Sequence, residues 1–487
     1  MRVERRKPLR ARVGVMSIGL DTYWGQFPGL LDELMGKVEK FKGKLNKYNV
    51  EIVDFGMVDN SEKAYALLPK MLGSDLDVLF VDMVTYGTSG TFGIIVQSVS
   101  CPVVLVALQP MAAMDYAHGT TYMQLCNDDV CSVPEFTGVA IRMGRRVSGV
   151  VIGQLEGDAI ADAELAEWIG VARVRHDLRK ARLGLMGHVL DTMLDMQADP
   201  TAITAAFGAH IVPCEAEEIM IHYRKITSEE RDVTAMKARI LDFFDTPDPV
   251  SDPLTTKLTD HDLDLSARVA VALERFVAAK RLDGFAYYYE GEPDSKMREL
   301  VTNFIVGNSL LTGAGFPMCG EFDIKTCVAM MMMDRLDIGG SFAEFHPIDF
   351  VRDTVLVGHD GPHHVNIADR RPVLRSLSRY HGKPGTGAGV EFNIKTGPIT
   401  ILSIGMNENG KPKMVVAQGE SLPGPIPPTG NTNTHGKFKP DVRTFLKRWV
   451  MEGPTHHFAL GIGHHASTLE KVADSFGVEC AVISESI

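Results

Sequence analysis

The chain is poor in cysteine. It has seven in 487 residues, at positions 101, 126, 131, 214, 319, 327 and 480, and no C-x-x-C pair. That excludes a zinc ribbon and a thioredoxin-type centre. A chain of this size needs no disulfide staples, so a reducing, cytoplasmic setting is the expectation. There is no run of about 18 apolar residues, so no membrane span is expected. The basic start MRVERRKPLRAR passes directly into VGVMSIG, a strand pattern rather than the apolar stretch of a signal peptide. Basic residues are outnumbered, 50 against 62 acidic, for a net charge of −12. That argues against a nucleic-acid partner and suits a small, neutral or weakly charged ligand. No G-x-G-x-x-G follows the first strand pattern, so a dinucleotide site is not supported.

What is present is mostly alternating structure. Apolar runs at 13–18, 50–55, 78–81, 103–108 and 146–152 read as strands. Amphipathic stretches at 28–48, 62–72 and 90–99 read as helices between them. Such alternation means βαβ units on a parallel sheet. Active sites on these sheets lie beyond the carboxyl ends of strands, which places Asp21, Tyr23 and Trp24 near a cleft. A second unit of the same kind begins near Ala181, with strands at 182–186, 211–213 and 283–289. Its helices are expected at 228–244, 264–281 and 294–312, with a surface loop at 246–256. After a Met-rich helix at 323–336 the texture becomes rich in Gly and Pro with short strands, an antiparallel or barrel character. The loop 421–436 is too rich in Pro, Gly and Asn for regular structure. The fold expected is therefore α/β: two Rossmann-like or flavodoxin-like parallel-sheet domains (1–178 and 179–338), then a mainly antiparallel, barrel-like domain (339–487) carrying metal ligands.

Histidine is unevenly spread: ten of the 16 lie between His346 and His465. Three adjacent pairs occur, His363–His364, His456–His457 and His464–His465. Neighbours on a strand point to opposite faces, so at most one of each pair is expected in a given site. A lone pair reads otherwise as a solvated surface feature, whereas PTHHFALGIG reads as a strand leaving a turn, with one histidine projected into a cleft. Glu321 (CGEFDIKT) and Glu344 (GGSFAEFHP) sit beside glycine turns, positioned by backbone yet reachable. Two such carboxylates with imidazoles form an O/N donor set suited to Mn²⁺, Co²⁺ or Fe²⁺ rather than a thiolate-seeking ion. The run Met330–Met333 reads as core packing, and CNDDVC (126–131) as a loop rather than a metal site.

The strings GEFDIKT (320–326), SFAEF (341–345), VLVGH (355–359), EFNIKTGP (391–398), PDVRTFLKRW (440–449) and PTHHFAL (454–460) carry a resemblance. In order and separation they are similar to those of the L-arabinose isomerase family, within the L-fucose/L-arabinose isomerase group. The resemblance implies a divalent metal, usually Mn²⁺ with Co²⁺, Fe²⁺ or Mg²⁺ as alternatives. Its ligands would be Glu321, Glu344, His359 and His457, with His456 a neighbour and possible sugar contact. Glu321 and Glu344 would double as the acid/base pair of an aldose–ketose isomerase working through a cis-enediol. Family members are trimers or hexamers with sites between subunits, so a homo-oligomer is expected.

The chain departs from the family around the sugar rather than around the metal. Where the family has a Gln–His pair after the first strand, this chain has Asp21 and Thr22, with Trp24 close by. Two pocket phenylalanines become Tyr86 and Tyr289. A family segment that reaches the neighbouring subunit's site falls on CNDDVCS, with Asn127 and Asp128. Exchanged hydrogen-bonding groups alter discrimination strongly, so L-arabinose is not expected to be the best substrate. Two alternatives stay open: a sugar C2 epimerase on the same scaffold, and a non-catalytic sugar-binding protein.

Overall fold

The computed structural model describes residues 2–246, 258–288, 292, 294–377, 387–426 and 432–483. Tyr289 and, apart from Thr246, the loop 246–256 lie outside the described residues. The chain divides into two compact units, Leu9–Asp177 and Met1–Pro8 with Leu178–Ile487. No helix among the described residues is long and apolar enough to cross a membrane.

In the first unit, β1 (Arg12–Ile18), β2 (Glu51–Val58), β3 (Val78–Asp82), β4 (Val103–Gln109) and β5 (Gly149–Gln154) form a parallel sheet in the order β2-β1-β3-β4-β5. The expected strands and helices are all present. Up to their last residues, Asp82 and Gln109, the strands β3 and β4 are continuous apolar runs, and they are buried along nearly their whole length, as a sheet covered by helices on both faces requires. The pattern reading passes over helices Val133–Arg142 and Ala159–Leu178. Strand order reverses between β1 and β3, and a ligand crevice belongs at such a switch point. Asp21 and Trp24 follow β1 and Tyr86 follows β3, so all three stand at that end of the sheet.

Beneath the same end lies a buried charge cluster. Lys37 donates to both carboxylate oxygens of Asp129 at 2.8 and 3.0 Å and to the carbonyls of Val84 and Cys126. Asp82, 3% exposed, has one carboxyl oxygen without a hydrogen-bond partner. Burial pushes Asp82 up to about 7, against the pull of Lys37 and with the repulsion of Asp129. A carboxyl raised on folding favours the fold when protonated; its contribution is lost as pH climbs from the unfolded value through about 7. Asp82→Asn is therefore expected to gain stability on the parent steadily as pH rises from about 4 to about 8, by of order 2–4 kcal/mol over that range. Equal Tm–pH profiles for the two proteins would refute the assignment.

The second unit opens with another parallel sheet, β6 (Arg182–Gly187), β7 (His210–Cys214), β8 (Gly284–Tyr288) and β9 (Met318–Cys319), ordered β7-β6-β8-β9. The stretch expected as one helix at 294–312 is two, Lys296–Thr302 and Ile305–Gly313. The break falls at Asn303, whose side chain folds back to donate to the Glu299 carbonyl at 2.8 Å. The run Met330–Met333 is 0–1% exposed, as packing demands.

The remaining strands are β10 (Gly339–Asp349), β11 (Thr354–His359), β12 (Val373–Ser376), β13 (Ala388–Glu391), β14 (Gly397–Met406), β15 (Pro412–Leu422), β16 (Thr432–Phe438), β17 (His457–Ile462) and β18 (Glu479–Ile483). Six of them pair in the cycle β14-β17-β10-β11-β16-β15, and β15 returns to β14, closing an antiparallel barrel. Strand β18 adds to β15 in parallel, and β12 pairs with β13 apart from the barrel. Closure corrects one expectation. Ser421 and Leu422 end β15, and Thr432–Gly436 lie in β16. Local composition favoured a loop there, but cross-strand pairing of Gly436 with Ser421 and Val355 overrides it. A second correction concerns His363 and His364, which are 2% and 3% exposed rather than on the surface. Their backbone N–H groups donate to the hydroxyls of Ser309 and Ser341, tying the segment after β11 inward.

Candidate metal centre

The register of the barrel assembles the site. Glu344 on β10 lies directly opposite His457 on β17 and Gly358 on β11. Directly opposed residues project to one face, so Glu344 and His457 are neighbours by pairing alone. A side chain at Gly358 would drive its Cβ to 2.0 Å from the Thr432 carbonyl, so only glycine lets β11 and β16 meet just before His359. Phe342, two residues before Glu344, packs its ring 4.3 Å from that of His457 and 4.6 Å from that of His359.

Glu321 arrives from the other sheet. It follows β9 in a tight turn where Glu321 and Phe322 take φ of +59° and +63°, a left-handed pair without glycine. Each such residue stores about 1–3 kcal/mol of strain. Asp323 ends the turn as N-cap of the helix Ile324–Arg335, accepting from the Thr326 N–H at 3.0 Å.

The four residues named from the sequence converge. Glu321 Oε1 is 3.6 Å from His359 Nε2, Glu321 Oε2 is 3.5 Å from His457 Nε2, and Glu344 Oε1 is 3.9 Å from His359 Nε2. They do not form one compact set. Donor atoms within 4.8 Å of one another make two triads, Glu344–His359–His457 and Glu321–His456–His457. The one-per-pair rule thus fails at His456–His457. His456 precedes β17, so strand alternation does not govern it, and both rings reach Glu321.

Each imidazole is turned by an acceptor on its far nitrogen. His359 Nδ1 donates to the Asp360 carbonyl at 2.6 Å, His457 Nδ1 to Asp323 at 3.2 Å, and His456 Nδ1 to Asp195 at 2.6 Å. Metal-binding histidines are oriented in this way. Asp195, in the turn 194–196, and Asp323 are site residues the sequence reading missed; the Asp in GEFDIKT was the only available signal. His346 was also missed: its Nε2 lies 3.9 Å from Glu344 and has no hydrogen-bond partner.

Electrostatics follow from this crowding. Burial acts to raise Glu321, but His359, His456 and the charge of His457 outweigh it and hold the carboxyl well below the usual range. Burial likewise opposes the fall of Asp323 to about 2, driven by His457 and Lys325. Glu321, and then Asp195 against the cost of burial, push His456 up to about 9. His359 is raised because its neighbouring carboxylates overcome burial. A divalent ion fits these residues on two observations. Buried Glu321 Oε2 and His457 Nε2, the latter on a fully buried ring, have no hydrogen-bond partner, and the donors are oxygen and imidazole nitrogen only.

Apart from Tyr289 and His456, the residues singled out from the sequence for the sugar and the neighbouring subunit belong to the Leu9–Asp177 unit. Trp24 Nε1 donates to Asp59 at 2.8 Å, and Asp21 accepts from Asn60 at 3.2 Å. Tyr86 faces Glu135, which together with burial raises its hydroxyl. Tyr86 and Asp128 both act on the Tyr23 hydroxyl, whose pKa is raised first by burial and then by them. Asn127 ties the end of its helix to the segment after β4, accepting from the Met111 N–H and donating to the Met123 carbonyl.

Residues 339–479 match the family model of the L-arabinose isomerase C-terminal domain. Over 358 residues the chain is 23% identical to an L-arabinose isomerase of Nocardioides sp., covering 72% of this chain and 68% of that one. It is 23% identical over 366 residues to the enzyme of Klebsiella pneumoniae and 22% over 359 residues to that of Escherichia coli K12, covering 72% of this chain and 69% of each relative. With residues 339–479 matching the family's C-terminal domain and carrying Glu344, His359 and His457 on strands of the barrel, the chain is a divergent homologue of the L-arabinose isomerases.

Proposed function

We propose that the protein is a metal-dependent aldose–ketose isomerase whose preferred aldose is not L-arabinose. The observation that supports this most directly is the pair of oriented triads, each carrying a carboxylate, on a chain homologous to L-arabinose isomerases. Glu321, Glu344, His359 and His457 would hold the ion, with Mn²⁺ the first choice. When bound, such an ion polarises a substrate carbonyl and so acidifies the adjacent C–H. The open-chain sugar presents C1 and C2 between the two carboxylates. One carboxylate removes the C2 proton, exchanges it with solvent and delivers a proton to C1, and the other moves a proton between the two oxygens of the cis-enediol. Glu321 suits a group that must be ionised on arrival, because its imidazole neighbours keep it so. Asp323 and the Asp360 carbonyl hold the His457 and His359 rings with Nε2 toward the carboxylates.

The departures at Asp21, Tyr86 and the 126–132 segment motivate the substrate assignment. By the same reading the protein is a trimer or hexamer, with the 126–132 segment serving a neighbouring subunit. A panel of aldoses, assayed after chelation and again after Mn²⁺ is restored, tests metal, reaction and substrate together. Turnover is expected only with metal, with another aldose faster than L-arabinose. In D₂O the product is expected to be a ketose labelled at C1. Recovered aldose labelled at C2 would instead mean epimerisation, and L-arabinose as the fastest substrate would overturn the substrate assignment.

A further inference from the structure

We propose that the divalent cation has two alternative positions in this protein: one framed by Glu344, His359 and His457, and a second held by Glu321, His456 and His457. The inference rests on the metal-dependent reading above and goes beyond it, since His456 would otherwise be a bystander. In the second triad, Glu321 Oε2 is 3.5 Å from His457 Nε2 and 3.8 Å from His456 Nε2, and the two rings are 3.9 Å apart between centroids.

His456 is solvent-exposed, yet its ring is held in one orientation. Its Nδ1 and its backbone N–H both donate to Asp195 Oδ2, at 2.6 and 3.1 Å. The turn bearing Asp195 is itself anchored. Lys325, fully buried, donates to the carbonyls of Asp195, Met196 and Gln197 at 3.0, 3.1 and 3.4 Å. A buried ammonium thus fixes a turn, the turn fixes a carboxylate, and the carboxylate aims the His456 Nε2 at Glu321. Ligand rings are held in this manner. The independent sign of a ligand is His457 Nε2, on a ring with 0% exposure and without a hydrogen-bond partner, at the junction of the two triads. An imidazole Nε2 has one lone pair, so the shared ring serves one ion at a time. The positions are alternatives, and the stoichiometry stays at one.

The test is Mn²⁺ binding to the chelated full-length protein by calorimetry, with nitrogen couplings to bound Mn²⁺ read by pulsed EPR. The parent is expected to bind one ion. His359→Ala removes only the first position, and binding is expected to persist within about tenfold with two imidazole couplings. Glu344→Gln does the same should His359→Ala not fold. Adding His456→Ala to either background is expected to weaken binding at least about 100-fold, in line with loss of a ligand rather than of its support. His457→Ala alone removes both positions. If His359→Ala and Glu344→Gln each abolish binding as fully as His457→Ala, or if adding His456→Ala changes nothing, the second position does not exist and the metal-dependent reading stands. Failure of the parent to bind any divalent ion overturns both.

Discussion

Glu321→Gln is expected to lower kcat/KM by about 10³-fold, because it removes a group placed to carry a proton and a metal donor at once. Glutamine has the same length and leaves the turn in its left-handed conformation, so the loss would be chemical. Glu321→Gly makes the complementary prediction. Glycine occupies φ of +59° without penalty, whereas glutamate stores strain there. The glycine variant is expected to be as inactive as the glutamine variant and more stable by about 1 kcal/mol. A strained, functionally required residue gives this opposite movement of stability and activity. Steady-state kinetics on the best substrate, with denaturant titrations of the three proteins, check both parts. Parent-like activity in Glu321→Gln would remove the residue from the mechanism. A glycine variant less stable than the glutamine variant would remove the strain argument.

Asp334→Ala is expected to cost about 3–5 kcal/mol of stability. Asp334 is 3% exposed and pairs with Arg335, itself 5% exposed, and with Arg5, whose Nη1 donates to it at 3.2 Å. His364, also buried, stands 3.6 Å away. Burial opposes ionisation of this carboxyl, but His364, Arg335 and Arg5 hold it far below the usual range. Truncation takes the carboxylate away from the buried Arg335 guanidinium, which also donates to the Gly315 carbonyl, and removing one partner of a buried ion pair is what costs most. Replacing both members, Asp334→Leu with Arg335→Met, is expected to lose much less than the single change. Equal losses in urea midpoints would show that packing at Asp334, and not charge, is responsible. A depressed carboxyl stabilises the fold above its unfolded pKa and loses that contribution as pH falls, so the single variant should differ least from the parent in acid.

Periodicity decided a good deal without help. The strand runs at 78–81 and 103–108 are apolar from end to end, and that at 13–18 is interrupted only at Ser17; only a sheet covered on both faces buries such runs. Glu321 and Glu344 stood out beside glycine turns, and His359 and His457 were reached through the resemblance that VLVGH and PTHHFAL carry. Where contacts are local, sequence patterns suffice.

What the sequence could not decide depends on pairing between distant segments. Composition made 421–436 a loop, yet its ends are strands because β11, β14 and β16 supply partners that satisfy their backbone. His363 and His364 looked like surface residues until Ser309 and Ser341 drew their backbone inward. Strand alternation separated His456 from His457, but the first lies ahead of the strand and is turned toward Glu321 by Asp195, 261 residues away in sequence. By itself, then, the sequence determined the sheets and, through its resemblance to the L-arabinose isomerases, pointed to four residues that the structure brings near one another. The tertiary structure alone decided that these residues form two triads through one shared histidine, since the barrel register and the Lys325-anchored turn bring together groups that no local pattern connects.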